Sequence, residues 1–248
     1  MALAVVTRDR EGAAPYAAAL APLGLEVVAM PVTRTASPAD PGALGRALAR
    51  GGHAAIVCAS ARAASALIEA AAARPDDAPL PEIWAVGPGT ARALEAGRLR
   101  ALVPDGVRDG ASLARAMTDA RSLAGARVLV PRAEDGREEA IAHLRAAGAE
   151  VDDVIAYRTI AAPADDPALA EGRALLASGR AAVCVVLAPS QVAALAALVA
   201  LPPLTFAAIG ETTAAALRAA GATAIAVAAT PTPAGIASAV RSVLPRQP

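Results

Sequence analysis

The sequence predicts an α/β protein of two similar domains, each a parallel sheet flanked by helices, with a cleft between them. Two observations carry this reading. Residues 5–35 align without a gap on residues 129–159, with Val6/Val130, Arg8/Arg132, Gly12/Gly136, Leu20/Leu144, Gly24/Gly148, Glu26/Glu150, Val27/Val151, Arg34/Arg158 and Thr35/Thr159 identical. Almost none of these matches is alanine, so an alanine-rich composition does not account for them. The stretch WAVGPGTARAL at 84–94 likewise resembles FAAIGETTAAAL at 206–217, and each follows a strand-like run that ends in a small polar turn. The second observation is alternation. Short β-branched or leucine-rich runs take turns with alanine-rich stretches closed by glycine, the pattern of a parallel sheet covered by helices. Two similar domains facing each other leave a cleft, which is where a ligand site belongs.

The opening run ALAVVT predicts a strand at 2–7. Alanine-rich residues 11–23 follow as a helix ended by Gly24, and the β-branched residues after it form a strand to about 31. Asp40 followed by Pro41 predicts a helix start, a side-chain cap with proline in the first turn. Apolar runs near 54–59, 83–86 and 100–103 read as strands separated by helices near 61–73 and 89–96, and a helix near 110–120 leads into the second copy. From 126 the order recurs through a helix ended by Gly148 and a strand to Tyr157. Helices near 166–178, 189–200, 211–220 and 232–244 then alternate with strands near 182–187, 205–209 and 224–227. Proline clusters at 38–41 and 163–167 follow Arg34-Thr35 and Arg158-Thr159, which marks those pairs as the domain crossings.

At 248 residues the chain is long enough for two domains with a core each. Its formal net charge is zero, leaving no basic field for a nucleic acid backbone, so nucleic acid is not an expected partner. All 23 basic residues are arginine, which removes lysine-dependent Schiff-base chemistry and P-loop nucleotide binding. Cys58 and Cys184 lie in apolar strand-like runs with no histidine beside them, and read as buried structural thiols. His53 precedes a strand and His143 lies within a helix, which argues against a histidine triad or metal cluster. The start MALAVVTRDR lacks the features of a signal peptide. Residues 181–201 carry no charge over a membrane-spanning length, but Pro189, Ser190 and Gln191 interrupt them, predicting strand, turn and buried helix. The expectation is a soluble, cytoplasmic protein with no membrane partner.

Further motifs occur in a fixed order: Val6-Thr7-Arg8, the turns at Ser60 and Pro189-Ser190, the helix starts Val86 to Ala91 and Ile209 to Ala214, the GAEV run with a following YRT between Gly148 and Thr159, and Thr230-Pro231-Thr232-Pro233. As an ordered set over almost the whole chain, they resemble the uroporphyrinogen-III synthase family. The resemblance implies two α/β domains joined by two crossing strands, with the first domain discontinuous. Residues 1–33 and 162–248 would form one domain and 37–158 an inserted one, with 34–36 and 159–161 as linker strands. Periodicity alone leaves open two sequential domains, one per repeat. The implied substrate is hydroxymethylbilane, a linear tetrapyrrole with eight carboxylates, closed into a ring with inversion of the last pyrrole and loss of water on the route to heme, siroheme and cobalamin. The pyrroles supply the electrons, so no metal or cofactor is implied. The protein has to hold a flexible chain in a closing geometry, help hydroxide leave and exclude the wrong closure.

Without lysine, the substrate carboxylates can be held by backbone N–H groups at helix N-termini, where the helix dipole favours negative charge. Ser60, Gly87 to Thr90, Ser190 and Gly210 to Thr213 each lie where a strand passes into a helix, so Ser60, Gly87, Thr90, Ser190, Gly210, Thr212 and Thr213 are candidate substrate ligands. Each is also readable as a simple N-cap. Tyr157 matches the tyrosine of the family's crossing strand and faces Thr33 in the repeat, which makes it the candidate proton donor to the leaving hydroxyl. The alternative is a packed tyrosine with a satisfied hydroxyl. Thr7, within the opening motif, joins the candidate ligands. Arg8 and Arg132 are repeated and are expected to steer carboxylates, or to pair with a nearby acid. The family's T-S pair before the turns is absent, since Ala59 precedes Ser60 and Leu187-Ala188 precedes Pro189-Ser190, and Asp9 stands where a proline is usual. That departure favours an alternative, a catalytically silent tetrapyrrole- or polyanion-binding sensor of the same fold. A nucleotide binder built on Gly87-Pro88-Gly89 lacks the third glycine, having Arg92 there, and a solute-binding protein would be exported. With no apolar surface helix left over, the chain is expected to be a monomer.

Overall fold

A computed structural model describes residues 2–74 and 78–244; the ends of the expected discontinuous domain, Met1 and 245–248, lie outside the described residues. The chain divides into two compact units, Met1–Arg34 with Ile160–Pro248, and Thr35–Thr159. No helix among the described residues is long and apolar enough to cross a membrane.

The first unit holds β1 (Ala2–Val6), α1 (Arg10–Leu20) and β2 (Leu25–Ala29). The chain then passes into the second unit within β3 (Thr33–Ala36). That unit runs α2 (Ala43–Arg50), β4 (His53–Cys58), α3 (Ala61–Ala72), β5 (Glu82–Ala85), α4 (Pro88–Ala96), β6 (Ala101–Leu102), α5 (Gly110–Ala120), β7 (Arg127–Ala133), α6 (Glu139–Ala146) and β8 (Glu150–Ala161). The chain leaves it within β8 and completes the first unit with α7 (Ala170–Ala177), β9 (Ala181–Val186), α8 (Pro189–Ala196), β10 (Thr205–Ala208), α9 (Glu211–Ala219), β11 (Ala224–Val227) and α10 (Pro233–Val243).

The sequence repeat reappears as topology. The first sheet has the order β11-β10-β9-β1-β2, and the second β6-β5-β4-β7-β8 with β3 beyond β8. Strands β1 and β2 therefore take the places of β7 and β8, and all five-strand neighbours pair in parallel. Helices cover both faces of each sheet. In the first unit Leu175, Leu195 and Leu217 pack with Phe206 on one face, and Leu20, Ile236 and Val240 pack on the other. In the second unit Leu48, Leu67 and Leu94 cover Ile56 and Leu129, while Leu113, Met117 and Leu144 cover the opposite face. Because both faces are buried, the central strands read as unbroken apolar runs, as parallel strands do.

Several boundaries shift for local reasons. The helix expected at Asp40 starts at Ala43, because the Asp40 carboxylate accepts the Gly42 N–H at 3.2 Å and closes a turn of its own. The helix expected over 189–200 stops at Ala196, and the strand expected to end at Tyr157 continues to Ala161. At the end of α4 the left-handed residue is Arg98 (φ 61°), not Gly97, whereas Gly221 takes the equivalent place after α9 (φ 91°). Gly97 serves close packing instead: a Cβ there would stand 2.5 Å from Ile68 Cγ1.

Candidate active site

In the second sheet the strand order reverses between β4 and β7, and the strand ends about this point open into a hollow of about 480 Å3. Open parallel sheets bind ligands at such reversal points. Ala59 and Ser60 follow β4, Val86 follows β5, Arg108 and Asp109 precede α5, the end of β7 supplies Arg132, the β7–α6 turn Gly136 and Arg137, the start of α6 Glu139, and β8 Tyr157.

Tyr157 and Ser60 meet on this wall. The phenol oxygen lies 3.1 Å from Ser60 Oγ, which also accepts the Ala63 N–H at 3.1 Å as the N-cap of α3. With its oxygen already accepting a backbone proton, the serine hydroxyl can turn its own proton toward the phenol oxygen. The N-terminus of α3 favours negative charge at the same place. A larger groove of about 750 Å3 shares Tyr157 as a wall and is lined by residues of β3, α2, α3 and β8, Arg62 and Glu69 among them.

Arg132, expected as a carboxylate ligand, is instead closed upon its own turn. Nε and Nη2 fork onto the Asp153 carboxylate at 2.7 and 2.9 Å, and Nη2 also reaches Glu138 at 3.3 Å. Nη1 lies 3.1 Å from the carbonyls of Ala133 and Glu134 and 3.4 Å from that of Gly136. The hydrogen bond to Asp153 raises the guanidinium pKa above its ordinary value, against the opposing effect of burial. This is the pairing with a nearby acid that was the alternative for this residue. Arg8, its repeat partner, makes no ion pair among the described residues; its charge lowers the pKa of Tyr16, which burial nevertheless raises.

Thr7 is also drawn inward. It is 1% exposed, with its hydroxyl 2.7 Å from Gln191 Oε1 and 3.0 Å from the Val185 carbonyl. Gln191 Nε2 donates back to the Thr7 carbonyl at 2.8 Å, and Gln191 Oε1 accepts the Leu187 N–H at 2.8 Å. The pair ties the end of β1 to the first turn of α8 and satisfies the hydroxyl of Thr7, a candidate ligand, within the protein. Thr90 and Thr213 face the core, 5% and 2% exposed, whereas Ser190 and Thr212 are exposed. Helices α4, α8 and α9, which start after Gly87, Ala188 and Gly210, carry no side-chain cap. The first intrahelical bonds run from Ala91 N–H to Gly87 O and from Ala214 N–H to Gly210 O, so the amides of Gly89, Thr90, Glu211, Thr212 and Thr213 precede them.

Sequence reasoning missed Arg108, Arg137 and Gln191. The last was signalled by one amide in an otherwise apolar run, and the two arginines by their places just before helix starts.

A family model described as uroporphyrinogen-III synthase HemD matches residues 14–238. No curated protein matches the chain. Among solved structures, uroporphyrinogen-III synthetase from Helicobacter pylori 26695 superposes with a TM-score of 0.67 at 18% identity, covering 98% of this chain and 99% of that one. A selenomethionine mutant of uroporphyrinogen III synthase from Thermus thermophilus gives 0.59 at 22% identity, covering 98% of each chain. Both are likenesses of fold. The family match runs from within α1 into α10 and takes in the strand-reversal hollow with its tyrosine and serine: the chain belongs to the uroporphyrinogen-III synthase family, cyclising hydro-lyases of tetrapyrrole synthesis that act on hydroxymethylbilane.

Proposed function

We propose that Tyr157 is the proton donor with which this chain closes hydroxymethylbilane to uroporphyrinogen III. The observation that carries the assignment is the 3.1 Å approach of the phenol to Ser60 Oγ at the N-terminus of α3. The phenol gives its proton to the departing hydroxyl of the substrate, which leaves as water. The bond to that hydroxyl breaks as the adjoining pyrrole supplies the electron pair; the last pyrrole bonds to the freed methylene through its substituted α-carbon, the bond from that carbon to its old methylene bridge breaks, and its free α-carbon takes up that bridge, so the ring closes with the last pyrrole inverted. Ser60 donates a hydrogen bond to the transient phenolate, and the α3 dipole favours the charge. The proton that the attacked pyrrole loses on regaining aromaticity restores the phenol, so the balance is loss of one water.

The substrate carboxylates lie against backbone amides rather than hydroxyls. The uncapped start of α4, in the same unit as Tyr157, supports this reading, with Gly87 and Thr90 contributing through main-chain N–H groups. Holding by amides also explains how the chain does without the T-S hydroxyls that Ala59 and Leu187-Ala188 replace. Leu102 and Val103 are the exposed large hydrophobics among the described residues, a surface consistent with action as a monomer.

The test is to supply hydroxymethylbilane generated in place and to separate the type I and type III uroporphyrin isomers after oxidation. An excess of type III that scales with protein is expected, since spontaneous closure gives type I. Tyr157→Phe should lower kcat about 10²-fold or more while leaving KM within a factor of about three, the size of a lost general acid. Unchanged kcat in that variant would remove the assignment.

A further inference from the structure

Two guanidinium groups on the wall of the hollow have no part in the proton step. Arg108 and Arg137 are exposed and line the hollow, the one just before α5 and the other just before the N-cap of α6. Arg132 shows what a committed arginine looks like here, with Asp153 and three carbonyls around it. Neither Arg108 nor Arg137 has an ion-pair partner within 4.0 Å among the described residues. The acids on the same wall are Asp109 and Glu139. Asp109 accepts the Ser112 N–H at 2.8 Å and the Ser112 hydroxyl at 2.7 Å, and these bonds, with a smaller contribution from the charges of Arg115 and Arg137, hold its carboxyl below its ordinary value. Its backbone neighbour is held as well, since the Arg108 N–H donates to Ser112 Oγ at 3.0 Å. The formal charges of these four residues cancel, and Arg132 on the same wall is paired with Asp153, so the wall carries no general positive field.

We propose that Arg108 and Arg137 form a two-guanidinium carboxylate site that anchors one end of the polycarboxylate substrate beside Tyr157. Planar forks bind carboxylates in pairs of parallel hydrogen bonds, which fixes orientation as well as position. A flexible linear tetrapyrrole needs such a fixed end if a single closure is to be favoured. The site rests on the reading that this hollow takes hydroxymethylbilane, and it adds side-chain ligands to amides that alone do not distinguish one anion from another.

The test measures binding of uroporphyrin I, an eight-carboxylate ring that needs no turnover, by fluorescence titration. Wild-type protein is compared with Arg108→Gln, Arg137→Gln, the double variant, and Arg115→Gln, an exposed α5 arginine outside the hollow. Each single variant in the pair should weaken binding about tenfold, the size of a charge-assisted contact. The double variant should weaken it about 50-fold or more and flatten its salt dependence, while Arg115→Gln stays within about twofold. In turnover, KM should rise with kcat nearly unchanged, and Arg137→Lys should recover part of the binding. Equal affinity of the double variant and wild type would overturn the site, as would an equal loss in Arg115→Gln. Failure of wild-type protein to form type III isomer is a separate result, which would sink the reading of the hollow as catalytic whatever the arginine variants do to porphyrin binding.

Discussion

Replacing Arg132 with lysine separates a ligand from a clamp, because it keeps the charge and removes the fork. The side chain is 13% exposed, so its contacts are only partly screened. Lysine can keep one bond to Asp153 but not both the 2.7 and 2.9 Å arms, and it loses the two carbonyl bonds at 3.1 Å. The 3.4 Å contact to Gly136 O is too long to count for much, and Glu138, with a 74% exposed side chain, contributes little in a surface pair. Two charge-assisted bonds to carbonyls and one arm of the fork, offset by the lysine's own new hydrogen bond, leave a loss of about 2–3 kcal/mol. Trp84, the sole tryptophan, lies buried in the same unit and reports its unfolding by fluorescence in urea. The expected result is a transition moved to lower urea by that amount, with KM raised less than in the arginine variants of the hollow. A shift worth under about 0.5 kcal/mol together with a many-fold rise in KM would refute the clamp and return Arg132 to the substrate.

Other consequences follow from particular contacts. At the amino ends of the second sheet, Asp152 Oδ2 lies 2.8 Å from His53 Nε2, 2.8 Å from Arg127 Nη2 and 3.2 Å from Arg50 Nη2. Burial pushes the Asp152 carboxyl up, but hydrogen bonds from His53 and Arg50 and the charge of Arg127 outweigh it and hold the carboxyl below its ordinary value. A depressed folded value contributes stability that is full above the unfolded carboxylate range, about 3.9, and is lost as pH falls through the folded value. Asp152→Asn should therefore destabilise the second unit at neutral pH and far less near pH 3 in urea titrations; an equal loss at both would contradict the linkage. Burial pushes both Cys58 and Cys184 up to about 12, so a thiol reagent should leave the native protein unmodified and label both in urea. Gly97→Ala should lose about 1–3 kcal/mol by driving a Cβ into Ile68, whereas Arg98→Gly should be neutral or slightly stabilising because it relieves a left-handed arginine; the opposite order would show that Gly97 is there for its backbone.

Much of this molecule is written in one dimension. The gapless repeat of 5–35 on 129–159 placed β1, α1 and β2 against β7, α6 and β8, and the structure returns those strands in equivalent sheet positions. Apolar runs and glycine stops located the elements to within a few residues, because periodicity and chain termination are local properties. The misplaced ends, at Asp40 and Ala196, are where a side chain or a turn competes with the helix for the same backbone groups. Tyr157 and Ser60 were both legible as candidates, but not their meeting, which joins residues 97 apart.

What the sequence by itself determined is the repeat, the α/β class, the absence of lysine chemistry and the residues from which a site could be drawn, since each follows from residue type and spacing. What only the tertiary structure decided is which way those residues turn. Arg132 and Thr7 carry the right chemistry at the right strand ends, yet Asp153 on the neighbouring strand and Gln191, 184 residues along the chain, consume their donors, while Arg108 and Arg137 have no ion-pair partner among the described residues. A hydrogen bond satisfies a group whichever partner arrives, and the arrival of that partner is a property of the fold.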